Sequence, residues 1–575
     1  MPLRITAIFI SFAIVLSVCP PSYTQELPHR EPHSWSKDQD PPFAENEDSA
    51  KTSSGEDLLQ PPASKDFNGQ SALPLKVFVR EIQIVGCSVF KKEELLKITD
   101  GYTNRELTSE DLEEIRRALT MLYVQHGFVN SGAVIPDQPM DDGILIIQVI
   151  EGQLTSVEVK ENRWFRDEYI EKRIVLEVGK PLNISKLQEN LLLLNQDSRI
   201  EKVNAVLRPG VQPGQSLLHV TVKEKNPFWL LLDYNNYIPP TVGSEEGLLT
   251  AAHQNLTGRG DILSATYGRS SGIDPHLEAN YSLPVSANDT ILSFFLKNND
   301  YAVVGKDFEP LDIKSTSDLI GVSIVHPLRR TLASELKFGI VGERIKNESF
   351  LLGVPYSFTP GAEDGESVVT ALRFSLDWLT RTRSKVINVY SRLSLGVDAF
   401  GSTNNSSDIP DSQFLSGLIQ FKWAQLLQGL GDIETVLRSD LQVASEHLLP
   451  VEQIAVGGRY SVRGYRENLL VRDNAWINSL EARVPLIRNR SWADYFQVTA
   501  FADAGTSWNT DVSTPEPRTL SSVGLGLRWG VTVPGKVPLR PEFEFYKGFP
   551  LEDVEVSDDD IQDDGIHFRL TTRIF

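Results

Sequence analysis

The sequence predicts a transmembrane antiparallel β-barrel of about 16 strands, preceded by two small α+β domains with the element order β-α-α-β-β. Three observations lead to this fold class. The chain opens with an export leader, continues with a duplicated unit of helices and strands, and then alternates apolar and polar residues over its last three-fifths. A period of two places successive side chains on opposite faces of a strand, as a wall between lipid and water requires.

The first 24 residues have the features of a secretory signal peptide. Arg4 precedes an apolar run at 5–18, and prolines and small polar residues follow, with cleavage expected at Thr24–Gln25. The run is short for a membrane-spanning helix, and an uncleaved anchor is the alternative. Residues 25–73 are an acidic, Pro-rich linker with little periodicity, typical of a flexible segment. Whether this linker plugs a pore stays open.

The two small domains are expected at 75–152 and 153–225. In the first, the pattern predicts strands at 77–86, 129–136 and 143–152 and helices at 91–99 and 107–127. In the second, it predicts strands at 155–160, 200–210 and 215–225 and helices at 166–177 and 184–196. Because the order is the same, the two segments are interpreted as tandem copies of one module.

The barrel is expected over 226–575. In 523–531, for example, Val523, Leu525 and Leu527 fall on one face, while glycines and Arg528 fall on the other. A soluble β-sandwich alternates in the same way and is the alternative. Strands of about ten residues, charges beside glycines on the polar face and the export leader favour a membrane barrel. The net charge of −21 argues against nucleic acid as a partner.

Counting strands backwards from the C-terminus places the segment 446–473 outside the cell. Both ends of a bacterial barrel lie in the periplasm, so the last strand runs inward and every second connection faces the exterior. The acidic segment 551–564, with eight carboxylates, falls on the same side. A solvated loop is the favoured interpretation of this segment, and a calcium site is the alternative.

The segment 446–473 carries VGGRYSVRGY at 456–465, and FADAG follows at 501–505. The first resembles the loop motif of outer-membrane protein-transport barrels, and the second resembles the F-x-D-x-G motif of their wall. The two upstream modules resemble polypeptide-transport-associated (POTRA) domains. Two such domains before a 16-stranded barrel are the layout of the two-partner secretion transporters of the haemolysin secretion/activation type, within the POTRA-plus-barrel superfamily.

The resemblance implies that 446–473 folds back into the barrel and that Arg463 contacts Asp503. It assigns two sets of residues. The loop motif consists of Gly457, Gly458, Val462, Arg463, Gly464 and Tyr465, and the wall motif consists of Phe501, Asp503 and Gly505. The alternation in 497–505 independently turns Phe501, Asp503 and Gly505 towards the lumen. The glycines would permit the tight backbone of the loop tip.

The resemblance also implies the function. The POTRA domains would capture an unfolded exoprotein, of the large β-helical type, in the periplasm, and the barrel would pass it to the cell surface without ATP. The expected site is the outer membrane, with membrane lipid around a monomeric pore and with neither cofactor nor metal; the identity of the cargo stays open. The alternative is a barrel-assembly (insertase) factor of the same superfamily, and a plain porin is a third possibility.

Catalysis is not expected from the sequence. GRSSG at 268–272 matches G-x-S-x-G, but a nucleophile elbow needs a helix after the turn, and a strand-like segment follows here. The nine histidines show no metal-binding spacing. With the leader removed, Cys87 is the single cysteine, so no intramolecular disulfide can form.

Overall fold

The computed structural model describes residues 59–60 and 76–574, except 141, 306–307, 406–408, 430 and 557–558. The predicted signal peptide and most of the predicted linker lie outside these residues. The described chain divides between Lys225 and Asn226 into two compact units. In the described residues, no helix combines the length and apolar character that crossing a membrane would require.

The first small domain spans about 76–152 and has two more strands than the sequence predicts, because the predicted strand 77–86 is divided into two and a further strand lies between the helices. A two-residue strand in the linker, β1 (Leu59–Gln60), precedes it in the chain. The elements of this domain are β2 (Val77–Val79), β3 (Glu81–Val85), α1 (Lys92–Thr99), β4 (Arg105–Leu107), α2 (Ser109–Gln125), β5 (Gly132–Val134) and β6 (Ile144–Ile150). The additional strand β4 pairs with β2, and β3, β6 and β5 form the main sheet. A capping box begins α2, because the side chains of Thr108 and Asp111 each accept the backbone N–H of the other.

The second small domain has the predicted order β-α-α-β-β. Its elements are β7 (Gln153–Lys160), α3 (Asp167–Ile174), α4 (Ile184–Asn195), β8 (Ile200–Pro209) and β9 (Gln215–Glu224). The sheet order is β1-β8-β9-β7. Ile170 and Leu187 of the helices pack on Leu218 and Val222 of β9 in a common core. The strand β1 was not predicted; it pairs in parallel with β8 at Ala205 and Val206.

Sixteen antiparallel strands of the described chain close into a barrel, which confirms the predicted fold class. The first seven are β10 (Phe228–Asn235), β11 (Glu246–His253), β12 (Ile262–Ser270), β13 (Ile273–Pro284), β14 (Ile291–Ala302), β15 (Lys314–Arg330) and β16 (Ser334–Leu351). After the short strand β17 (Val354–Pro355) follow β18 (Glu366–Arg381), β19 (Lys385–Gly396), β20 (Leu415–Leu427) and β21 (Ile433–Ala444). The hairpin strands β22 (Ile454–Val456) and β23 (Leu470–Arg472) precede β24 (Asn474–Arg490), β25 (Ala493–Trp508), β26 (Thr519–Gly530), β27 (Leu539–Pro550) and β28 (Ile566–Ile574). Pairing of β28 with β10 closes the wall.

The connections differ in length between the two ends of the barrel. At the end where β10 begins and β28 finishes, the turns are short, as at 331–333, 382–384 and 491–492. The longest connections, 397–414 and 445–473, lie at the opposite end. Short periplasmic turns and long exterior loops are typical of outer-membrane barrels, so 446–473 starts from the exterior side.

The two faces of the wall follow the alternation of the sequence. Along β25, Ala500, Ala502 and Ala504 are exposed on the outer surface, while the residues between them are buried. Along β26, Leu525 is 56% exposed and its neighbours Gly524 and Gly526 are buried. Small and apolar residues therefore face lipid, and polar residues and glycines face the interior.

Candidate functional site: a loop inside the barrel

The segment 446–473, here called the lumenal loop, lies inside the barrel. It leaves β21, forms the β22–β23 hairpin, and returns to β24. Val462 is fully buried and Arg463 is 2% exposed, although both lie in a connection between strands. Polar side chains from the inner face of the wall surround the loop. A surface loop of this length would expose most of its residues, so burial shows that the loop packs against the inner face of the wall.

Three glycines shape the tip of the lumenal loop. Gly457, Gly458 and Gly464 have φ angles of 113°, 101° and 103°, which residues with a Cβ rarely adopt. A Cβ on Gly464 would also lie 3.2 Å from the backbone of Gly548 in β27. The glycines thus permit both the turn and the close approach of the tip to the wall.

Arg463 at the tip is bound by acidic side chains of the neighbouring strands β24 and β25. Its Nε and Nη2 donate to the two carboxylate oxygens of Asp503 at 2.8 and 2.9 Å, and its backbone N–H donates to Asp503 at 3.1 Å. Nη1 donates to Glu481, and Nη2 also donates to Ser479 Oγ at 3.1 Å. The Asp503 side chain has no exposed area. The two-oxygen contact fixes the orientation of the guanidinium as well as its charge.

The other residues of the wall motif shape the seat of Arg463. The guanidinium lies over the ring of Phe501, 3.6 Å from its centroid, in a cation–π contact. A Cβ on Gly505 would lie 2.7 Å from Val456 and 3.0 Å from Val462, so any side chain there would displace the loop. The structure thus brings together Val462 and Arg463 of the loop motif with Phe501, Asp503 and Gly505 of the wall motif.

The acidic segment 551–564 holds the loop immediately after Arg463. The hydroxyl of Tyr465 donates to a Glu552 carboxylate oxygen at 2.8 Å, and Arg466 Nε donates to Asp563 at 2.8 Å. The backbone N–H of Glu467 donates to Gln562 Oε1 at 2.8 Å. In the described part of this segment, 551–556 and 559–564, carboxylates therefore bind the lumenal loop.

The sequence did not predict several partners of the tip. Glu481 and Ser479 complete the shell around Arg463, and Arg483 donates to Glu481 at 2.6 Å. The inward position of Glu481 could have been found, because it alternates with Leu480, which is 50% exposed. The contact of Glu481 with Arg463 could not have been found, because this contact depends on the path of the loop.

The G-x-S-x-G match lies in a tight connection of the barrel wall. Ser270 ends β12, and β13 begins at Ile273, so a strand follows the turn. The Ser270 hydroxyl donates to the backbone carbonyl of Val242 at 2.7 Å. The strand–turn–helix geometry of a nucleophile elbow is not formed at these residues.

Comparisons with known proteins agree with this architecture. The sequence profile described as haemolysin secretion/activation protein ShlB/FhaC/HecB matches residues 214–529, and the profile of the ShlB-type POTRA domain matches residues 77–152. The outer membrane transporter CdiB of Dickeya dadantii is 24% identical over 415 residues, covering 70% of this chain and 72% of the relative. The hemolysin transporter protein ShlB of Serratia marcescens is 24% identical over 399 residues, covering 66% and 67%.

Solved structures show the same fold. CdiB from Escherichia coli superposes with a TM-score of 0.64 at 19% identity, covering 89% of this chain and 92% of that one. BamA from Haemophilus ducreyi lacking POTRA domains 1–3 superposes with a TM-score of 0.50 at 14% identity, covering 86% and 100%.

Proposed function

We propose how this chain, which belongs to the haemolysin secretion/activation protein family, moves a secreted protein across the outer membrane. The chain is an outer-membrane transporter of the two-partner secretion type, with its POTRA region in the periplasm. The two small domains capture an unfolded exoprotein of the large β-helical type. The barrel, acting as a monomeric pore, passes it to the cell surface without ATP.

Backbone pairing is the proposed mode of capture. In the described chain, β3 and β7 are outer strands of their sheets. Outer strands carry unpaired N–H and C=O groups, which an extended peptide can pair by adding a strand. An unfolded exoprotein offers such a peptide before any tertiary structure forms. This mode recognises main chain rather than sequence, so specificity would come from the side chains around the edge.

The lumenal loop is proposed to control passage through the barrel. It occupies the interior, so a polypeptide can pass only if at least part of the loop moves. The ion pair of Arg463 with Asp503 is the observation that carries the proposal, because it ties the tip reversibly to one part of the wall. Arg463 therefore acts as a positional latch. Folding of the exoprotein outside the cell would supply the direction of transport.

Assembly of other barrels is the alternative function. The superposition on BamA, with a TM-score of 0.50, supports the shared barrel fold. The family match over residues 214–529 favours secretion. We also propose that the chain has no catalytic role, since the family consists of transport proteins and GRSSG lies in a strand connection.

A secretion assay distinguishes these functions. A candidate exoprotein of the large β-helical type would be produced in cells with and without the full chain, and its amount at the surface and in the medium measured. Secretion is expected only when the chain is present, with unrelated outer-membrane barrels at unchanged levels. Secretion without the chain would refute transport, and a general loss of other barrels would favour the assembly function.

A further inference from the structure

A second buried ion-pair cluster holds the lumenal loop, at a different place on the wall. Arg373 of β18 donates through Nη1 and Nη2 to both carboxylate oxygens of Glu452 in the loop, at 3.0 and 2.7 Å. Its Nε donates to Glu343 of β16 at 2.6 Å, and Nη1 also donates to Ser394 of β19 at 2.8 Å. The side chains of Arg373, Glu343 and Glu452 are 2%, 0% and 1% exposed.

Apolar contacts surround this cluster and belong to the same stretch of loop. Leu448, Leu449 and Val451 are buried in one cluster with residues of several strands and of one connection, namely Leu319, Ile345, Val369, Ala371, Ala444 and Phe414. The backbone carbonyl of Glu452 accepts from Gln442 Nε2 of β21 at 3.0 Å. The stretch 446–453, here called the loop root, is therefore attached to the wall before the chain reaches the hairpin.

Asp473, the last residue of the lumenal loop, binds the loop root. Its carboxylate accepts from the backbone N–H of Leu448 at 3.0 Å and from Gln453 Nε2 at 2.9 Å. It also accepts from the backbone N–H of Thr510, beyond β25, at 2.9 Å. Since Asp473 immediately precedes β24, these bonds hold the beginning and the end of the lumenal loop together.

The root and the tip use separate parts of the wall. Glu452 binds Arg373 of β18, which also binds Glu343 of β16, whereas Arg463 binds β24 and β25. The strands β19, β20 and β21 lie between these two places. The two ion-pair clusters share no side chain, so neither depends on a residue of the other.

We propose that Glu452 is a positioning residue that anchors the loop root through Arg373 independently of the Arg463 latch. When the tip leaves Asp503, the root stays on the wall and only the hairpin and tip move. The loop then swings about a fixed root and returns to its seat. This inference rests on the proposed movement of the loop during secretion and deepens it by naming the part that does not move.

Cysteine labelling of the full chain in outer-membrane vesicles tests the proposal without any exoprotein. In a Cys87→Ser background, Val451→Cys reports on the root and Ser461→Cys on the tip; both positions are buried. A membrane-impermeant maleimide is the probe. Glu452→Gln is expected to raise labelling at 451 about tenfold, equivalent to about 1.4 kcal/mol, with 461 unchanged. Arg463→Ala is expected to raise labelling at 461 more than about a hundredfold and to leave labelling at 451 unchanged.

Two further variants keep the test decisive. Arg373→Lys preserves the charge but loses the two-oxygen contact, so labelling at 451 should lie between wild type and Glu452→Gln. Glu278→Gln is the matched control, because Glu278 pairs with Lys297 at 2.7 Å within the wall and should change neither reporter. Unchanged labelling at 451 in both anchor variants, or equal exposure of both positions in Arg463→Ala, would overturn the separate anchor.

Exoprotein export, measured in parallel, separates this inference from the proposed function. If the wild-type chain exports no exoprotein, the function is wrong, and the labelling pattern still decides whether the root is an independent anchor. If export is normal but the labelling pattern fails, the anchor is wrong and the function stands.

Discussion

Replacement of Arg463 by alanine should release the tip of the lumenal loop while the barrel stays assembled. The change removes two hydrogen bonds to Asp503, at 2.8 and 2.9 Å, and the contact with Glu481. Both partners are buried, so the loss leaves a carboxylate with little compensation. Removing one partner of a buried pair destabilises by about 3–5 kcal/mol, whereas a solvent-exposed pair contributes about 0.2–1 kcal/mol.

The lower end of that range applies at this site. Arg483 still compensates Glu481, and the backbone N–H of residue 463 can still reach Asp503. A loss of about 3 kcal/mol shifts the balance between seated and released tip more than about a hundredfold. The barrel keeps its strand pairing, because no ladder bond of β24 or β25 involves the Arg463 side chain.

The assay compares export rates at equal amounts of inserted barrel, with insertion checked by heat-dependent gel migration. We expect export by Arg463→Ala to fall at least about tenfold, with Arg463→Lys in between, because lysine lacks the planar fork. Arg488→Ala is the matched control, since Arg488 and Asp432 form a pair that is 42% and 43% exposed. Wild-type export by Arg463→Ala would refute the latch, and failure of the variant to insert would refute the claim that the barrel does not need it.

Three further changes have defined outcomes. Gly505→Val places methyl groups where two valines of the loop lie, so the loop should become cleavable by external protease; full protection would contradict the close packing. Tyr465→Phe removes the bond to Glu552 and should weaken tip seating by about 1 kcal/mol, seen as faster maleimide labelling of Ser461→Cys; unchanged labelling would contradict it. Burial would raise the pKa of Glu151, but hydrogen bonds from Ser88 and Tyr123 outweigh it and lower this pKa. A carboxyl group whose pKa is lowered by folding stabilises the folded form at pH values above its ordinary pKa. This stabilisation is lost as the pH falls through the lowered pKa. The free energy of opening of β6, measured by hydrogen exchange at pH 7, should therefore be lower in Glu151→Gln than in wild type by about 1 kcal/mol. The two values should converge in acid. A difference that stays constant with pH would refute the role of this carboxylate.

The sequence predicts the barrel well because strand periodicity is a local property. Strict alternation turns Phe501, Asp503 and Gly505 to one face whatever the register of the neighbouring strands. The structure buries these residues and exposes Ala502 and Ala504 between them. The inward face of each strand can thus be assigned before its neighbours are known.

Partners that depend on closure of the barrel could not be predicted in the same way. Glu452 and Arg373 are separated by 79 positions, and the sequence around each of them is that of an ordinary polar residue. Their contact exists because the loop enters the lumen and passes β18. The strand β1 was missed for a related reason, since a strand of two residues has no periodicity of its own and is defined by its pairing with β8.

Transport by the purified chain in liposomes is the most direct test of export through this barrel without ATP. The full chain would be reconstituted with its POTRA region on the outside, the unfolded exoprotein added outside without ATP, and the protease-protected fraction measured over time. We expect protected exoprotein to accumulate in these liposomes and Arg463→Ala to slow this accumulation. Accumulation no greater than in liposomes without the chain, or accumulation that requires ATP, would contradict it.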